Sequence, residues 1–160
     1  ICPEGADPAP YTGEICVRGP QVMRGYWKKP EETAGVLRDG WLRTGDVGHM
    51  DHRGVVSITD RKKDMIIVSG FNVYPNEVEN VIAAMPGVLE VGVTGVASAK
   101  SGETVKAVIV RKDPAITEED VKQWCRKQLT RYKVPHVIVF VESLPKTPVG
   151  KILRRELKDL

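Results

Sequence analysis

The sequence reads as an α+β fold: a small domain with a three-stranded sheet and packed helices, preceded by a β-rich remnant of a large domain N-terminal to it. Two observations carry this. Between residues 75 and 141, segments with apolar residues on one helical face alternate with short apolar runs. Between residues 10 and 60, short strand-like stretches are broken by glycine and proline, and too few strands stand there to close a core of their own. The two halves meet at a charged joint, Asp60, Arg61, Lys62 and Lys63.

Each element has a local reason. Residues 1–10 hold three prolines and read as a loop. Glu14 to Arg18 reads as a strand with Ile15 and Val17 on one face, ended by Gly19-Pro20. Pro30 can open a helical turn, since its missing N–H is at a position where no partner is needed. Trp41 to Arg43 begins a strand, Asp51 to Gly54 is a hairpin-like break, and Val55 to Thr59 runs back. Met65 to Val68 is an apolar strand, followed by a turn at Ser69, Gly70 and Phe71. Pro75 opens a helix whose face is Val78, Val81, Ile82 and Met85, with Glu77 and Glu79 near its positive end. Pro86-Gly87 stops it.

Val88 to Val96 is the next strand, and Val105 to Val110 is the nearly continuous apolar run of a strand covered on both faces. Thr117 with Asp120 resembles a capping box, and Val121, Trp124, Cys125 and Leu129 line the helix behind it. Val137 to Val141 is the third strand of the sheet. The proline-spaced loop Leu144 to Gly150 then leads into a basic C-terminal helix.

Composition narrows the function. The 160 residues carry 24 basic and 21 acidic side chains, a formal charge of +3. With only 6% aromatic residues and no RNA or DNA motif, no nucleic-acid partner is expected. No apolar run is long enough to span a bilayer. Residues 1–10 have neither the basic region nor the apolar core of a signal peptide, and the first residue is not Met, so an excised fragment is expected. Cys2, Cys16 and Cys125 form no Cys-x-x-Cys pair and His49, His52 and His136 have no zinc spacing, so no metal site and a reduced, cytosolic chain are expected.

Three spots could carry chemistry. A carboxylate after a glycine turn, as in Thr44-Gly45-Asp46, can accept hydrogen bonds from both hydroxyls of a ribose; taken alone, such a turn is far more often structural. Arg61 offers a planar fork of donors suited to phosphate or ribose oxygens, against the plainer reading of a salt bridge to Asp60 or Asp64. The segment from Pro145 to Lys151 ends in Gly-Lys, but it is no phosphate loop. A Walker loop needs glycine where Pro145 stands and Ser or Thr where Ile152 stands.

These three spots, in this order, resemble the adenylate-forming ligases. Trp41-Leu42-Arg43-Thr44-Gly45-Asp46 is similar to the family's Trp-x-x-Thr-Gly-Asp segment, fourteen residues before Asp60. The run from Asp60 to Glu79 resembles the family's hinge motif, and most closely that of the long-chain fatty acid–CoA ligases. Ligases for aromatic acids usually show a lysine near Ile67. Pro145-Lys146 to Gly150-Lys151 is similar to the family's Pro-Lys-x-x-x-Gly-Lys. The resemblance implies that residues 1–62 are the end of the large AMP-binding domain and 63–160 its mobile C-terminal domain.

By the same resemblance Asp46 and Arg61 bind the nucleotide, Lys63 is the pivot, and Ser69, Gly70 and Phe71 line the channel for the pantetheine arm of CoA. Lys151 is the catalytic lysine, with Arg154, Arg155 and Lys158 as its basic helical backing. The resemblance implies an enzyme that uses ATP with Mg2+, a fatty acid and CoA, together with the missing N-terminal domain of the same chain. It also implies a cytoplasmic protein, with peripheral association at the inner face of the membrane and a lysine acyltransferase acting on Lys151 as further partners. Alternatives in view are a ligase for another carboxylic acid, one that loads a carrier protein, and, from a different class, a non-catalytic binding domain. The phosphate-binding loop and acyl pocket of such a ligase are not among these residues, so residues 1–160 alone are expected not to form an acyl-adenylate.

Overall fold

Proline and glycine set most of the element boundaries. The computed structural model describes residues 11–160, so the loop read at residues 1–10, and Cys2 with it, lie outside the described residues. The chain divides into two compact units, with the division between Lys63 and Asp64.

The first unit is built around one long strand. Its elements are β1 (Tyr11–Val17), α1 (Pro30–Val36), β2 (Leu37–Arg38), β3 (Trp41–Met50) and β4 (Val56–Arg61). Pro30 stands in the first turn of α1, as its sequence position requires, and Glu31 and Glu32 beside it favour the positive helix end. β3 pairs antiparallel with β1, β2 and β4. The break between β3 and β4 is an Asx turn: the Asp51 carboxylate accepts the backbone N–H groups of Arg53 and Val55, both at 2.9 Å. These bonds, Val55 first, hold the Asp51 carboxyl below its ordinary range.

The second unit packs helices on a sheet. It contains β5 (Ile66–Val68), β6 (Phe71–Val73), α2 (Pro75–Ala83), β7 (Val88–Ser98), β8 (Gly102–Arg111), α3 (Glu118–Arg126) and β9 (Val137–Val141). β8 is the central strand. β7 runs antiparallel along it from Val88 to Ser98, β9 lies parallel beside Lys106 to Val110, and β5 joins through Val68 and Gly102. The sheet therefore has five strands rather than the expected three, because the short hairpin of β5 and β6 is recruited to the edge.

The periodicity of β8 explains its two-sided burial. Val105, Ala107 and Ile109 face a core that includes Val78, Ile82, Val121 and Cys125 from α2 and α3. Val108 and Val110 face the other way, against Leu144 and Leu157. Alternating residues of one strand thus serve two cores. α3 begins with the expected capping box: the Thr117 side chain accepts the Asp120 N–H at 3.2 Å, and the Asp120 carboxylate accepts the Thr117 N–H at 2.9 Å.

The C-terminal segment departs from expectation. Arg154–Lys158 forms a short 3-10 turn instead of a basic α-helix. Leu157 is fully buried and pulls the segment onto the sheet. The buried Lys106 ammonium donates to the Lys158 carbonyl at 3.1 Å and ties the segment to β8. The segment can lie this close because residue 92 is glycine; a Cβ there would stand 2.7 Å from a Leu157 methyl. A second correction concerns the cysteines. Cys16 is disulfide-bonded, which overturns the fully reduced reading, while Cys125 is a free, buried thiol.

Burial pushes the Cys125 thiol up from its ordinary 9.0 to about 11. Its folded value lies above its unfolded value, so its contribution to stability is full below pH 9 and is lost as pH rises toward about 11. Urea unfolding across pH 8–11 should show a decline in stability above pH 9 that Cys125→Ala reduces; equal declines in both proteins would contradict this.

Candidate functional site

Asp46 and Arg61 are brought together by strand register. They are direct partners across β3 and β4, and Arg61 Nη1 stands 3.1 Å from Asp46 Oδ1. Of the acidic partners considered for Arg61 from the sequence, Asp60 and Asp64, neither is the one in this pair. Asp60 lies buried, and its carboxylate accepts the Arg61 backbone N–H at 2.8 Å. The backbone around Asp46 is held by Thr44, whose hydroxyl donates to the Ile15 carbonyl at 2.9 Å and accepts the Asp46 N–H at 3.1 Å. Lys62 follows with an ion pair to Glu14 at 2.9 Å, and Glu14 also faces Arg43 at 3.6 Å. Lys63 is exposed within the single turn Lys62–Asp64.

Ser69, Gly70 and Phe71 occupy the tight hairpin between β5 and β6. Ser69 has φ +50 and Gly70 φ +84, the paired left-handed conformation that a two-residue hairpin turn demands. Space does not explain the glycine, since a Cβ at residue 70 would meet nothing within 4 Å; conformation does. The Ser69 N–H donates to the Ser101 carbonyl at 2.9 Å. Phe71 is 55% exposed and stacks on Tyr132, ring centres 4.7 Å apart and planes 19° from parallel.

Lys151 ends a second tight loop. Lys146 and Ile152 form a bridge across its base, the Thr147 N–H donates to the Lys151 carbonyl at 2.8 Å, and the Lys151 N–H returns to the Thr147 hydroxyl at 3.1 Å. The side chain of Lys146 pairs with Glu90. Lys151 itself is exposed, and its ammonium has no ion pair among the described residues.

Arg154 stands in a short 3-10 turn rather than in the expected helix. Its guanidinium donates to both oxygens of Glu79, at 3.2 and 2.7 Å, to the Asn76 side-chain oxygen, and to Asp64 at 3.5 Å. Glu79 also accepts the Val93 N–H at 2.9 Å. Glu77, its neighbour on α2, holds Lys133 at 2.7 Å. The two glutamates read as helix-end charges are tertiary ties. Sequence reasoning missed Tyr132 and the Arg154 cluster, because partners 61 and 75 positions away leave no local signal. Asp46 and Arg61 belong to the first unit; Ser69, Gly70, Phe71 and Lys151 belong to the second.

Residues 77–151 match the family model for the AMP-binding enzyme C-terminal domain. Over those residues the chain is similar to the AMP-binding enzyme C-terminal domain. Among curated proteins, the long-chain-fatty-acid–CoA ligase of Escherichia coli O157:H7 is 59% identical over 147 residues, 92% of this chain and 26% of that protein. Among solved structures, ATP-bound MatB from Rhodopseudomonas palustris is 45% identical with a TM-score of 0.86, over 92% of this chain and 30% of that one. The o-succinylbenzoate CoA synthetase of Bacillus subtilis, in complex with the acyl-adenylate intermediate OSB-AMP, is 37% identical with a TM-score of 0.86, over 93% and 31%. This chain spans about a quarter of the length of the curated relatives it matches.

Within the second unit, the stack of Phe71 on Tyr132 is an aromatic pair whose worth can be measured. A double-mutant cycle of Phe71→Ala and Tyr132→Ala should return a coupling of about 0.5–1.5 kcal/mol in urea unfolding. A coupling of zero would show the two rings to be independent.

Proposed function

We propose that the chain is the C-terminal part of a ligase that activates a long-chain fatty acid with ATP and passes the acyl group to CoA. The observation that carries this reading is the 59% identity to a long-chain-fatty-acid–CoA ligase over 92% of the chain. Residues 1–62 then end the large AMP-binding domain, and 63–160 are its mobile C-terminal domain; the division found between Lys63 and Asp64 supports this.

In the first step a fatty acid carboxylate oxygen attacks the α-phosphorus of ATP, and pyrophosphate leaves. Two anions must meet, and negative charge builds on the phosphorus. Lys151 suits this need, because an exposed ammonium at the end of a stiff loop can be brought between them without first breaking an ion pair. Asp46 accepts the ribose hydroxyls through the carboxylate oxygen that Arg61 leaves open, while Arg61 fixes the other. In the second step the CoA thiol attacks the acyl carbon and AMP leaves. The open backbone of Gly70, between Ser69 and Phe71, gives the pantetheine arm close approach.

Magnesium would come with ATP. Among the described residues no three His, Cys, Asp or Glu side chains cluster to hold a metal. We extend the reading to a cytoplasmic enzyme with peripheral association at the inner membrane face. Among the described residues no helix is long and apolar enough to cross a membrane. A lysine acyltransferase acting on Lys151 would remove its charge and switch adenylation off.

In the full-length ligase, Lys151→Ala should slow adenylation by about a hundredfold or more and largely spare thioester formation from supplied acyl-adenylate. Adenylation at the parent rate, or equal loss in both steps, would refute the assignment. Lys63→Pro, which locks φ and removes an N–H, should leave adenylation and abolish thioester formation if the C-terminal domain turns there. Equal loss of both half-reactions would rule the pivot out.

A further inference from the structure

Lys151 reaches its task on a loop, and loops hold a reacting group poorly unless something fixes them. Only Ile152 and Leu153 separate Lys151 from Arg154. Both are tied down: Ile152 bridges to Lys146, and the Leu153 N–H donates to the Pro145 carbonyl at 2.9 Å. Movement of Arg154 is therefore passed to Lys151 with little slack.

Arg154 in turn is the most heavily partnered cation in the second unit's ion pairs among the described residues. Its side chain is 19% exposed, and the partners arrive from two places in the sequence. Glu79 and Asn76 lie on α2, which is packed on the sheet. Asp64 is the residue directly after Lys63, and it stands 3.5 Å from Arg154 Nη1. Two carboxylates face one guanidinium, so each depends on Arg154 to offset its neighbour's charge.

We infer that Arg154 is a positioning residue that ties the Lys151 loop to Asp64, so that rotation of the backbone at Lys63 carries the lysine as one body with the hinge. The inference rests on the proposed roles of Lys63 and Lys151. It assigns Arg154 no contact with substrate. A fork is needed for this task, because a single ammonium cannot hold Glu79 at two oxygens and reach Asp64 as well. Removing the Asp64 charge should loosen the hinge-side tie while leaving the tie to α2 in place.

The test uses the full-length ligase with Arg154→Lys and Asp64→Asn, each alone and combined with Lys151→Ala. Arg154→Lys keeps the charge and the stem, and Asp64→Asn keeps the shape, so both variants guard against simple unfolding. Each should lower the adenylation kcat by roughly tenfold, the scale of coupling through packed polar networks, with the KM for ATP unchanged. In the Lys151→Ala background neither should cost anything further, because the effect passes through that lysine. Amide exchange should quicken at Thr147, Gly150, Lys151 and Leu153 while β7 and β8 keep their protection.

Full additivity with Lys151→Ala, or exchange that rises over the whole domain, would overturn the inference and leave Arg154 a general stabiliser. Should Lys151→Ala alone leave adenylation intact, the reading of Lys151 fails by that measurement. Exchange in the loop still decides the tie: faster exchange confined to those four amides supports it, and unchanged exchange overturns it.

Discussion

The second unit depends on the burial of one strand from both sides. β8 presents Val105, Ala107 and Ile109 to the helices, and Val108 and Val110 to the C-terminal segment. Everything else in the unit is arranged to keep water from those two faces. The helices need only cover one of them, so their polar sides are free to carry ties such as Glu77 to Lys133. The opposite face is sealed by a few residues, chiefly Leu144 and Leu157. Ile152, next to Lys151, is thus packed on the less heavily covered side of the sheet.

Much of this framework could be read from the sequence because its causes are local. Pro30 and Pro75 open helices, Thr117 and Asp120 form a reciprocal cap, and the apolar run through Val110 is a two-sided strand. Each signal is a few residues long and acts on its own neighbourhood. The strand expected at Met65 to Val68 was legible too, but its place at the edge of the large sheet was not. One register partner, Val68 to Gly102, makes that connection, and nothing in either segment announces it. The C-terminal turn escaped for a related reason. Its basic residues favour a helix locally, and the burial of Leu157 against the sheet overrides that preference.

The candidate site divides along the same line. Ser69, Gly70 and Lys151 sit on or beside turns whose glycines are visible in the sequence, whereas Asp46, expected after a glycine turn, lies inside β3. The pairing of Arg61 with Asp46 was not visible, because cross-strand register decides it. Charged side chains are long enough to choose among several partners, and sequence adjacency favours the wrong ones, Asp60 and Asp64 for Arg61. For Arg154 the distance is larger: its partner Glu79 stands on a helix 75 positions earlier.

The buried lysine on β8 gives the chain a built-in contrast for amine chemistry. Lys106 is 6% exposed and its ammonium is bonded to a backbone carbonyl, whereas Lys151 stands in solvent. Acylation needs an accessible amine, and Lys106 does not offer one while the sheet is intact. Any acyl group found on Lys106 therefore records a molecule that had opened, and one found on Lys151 alone records a molecule modified in its folded state. The ratio of the two marks separates modification of the folded chain from modification of opened molecules within a single peptide map.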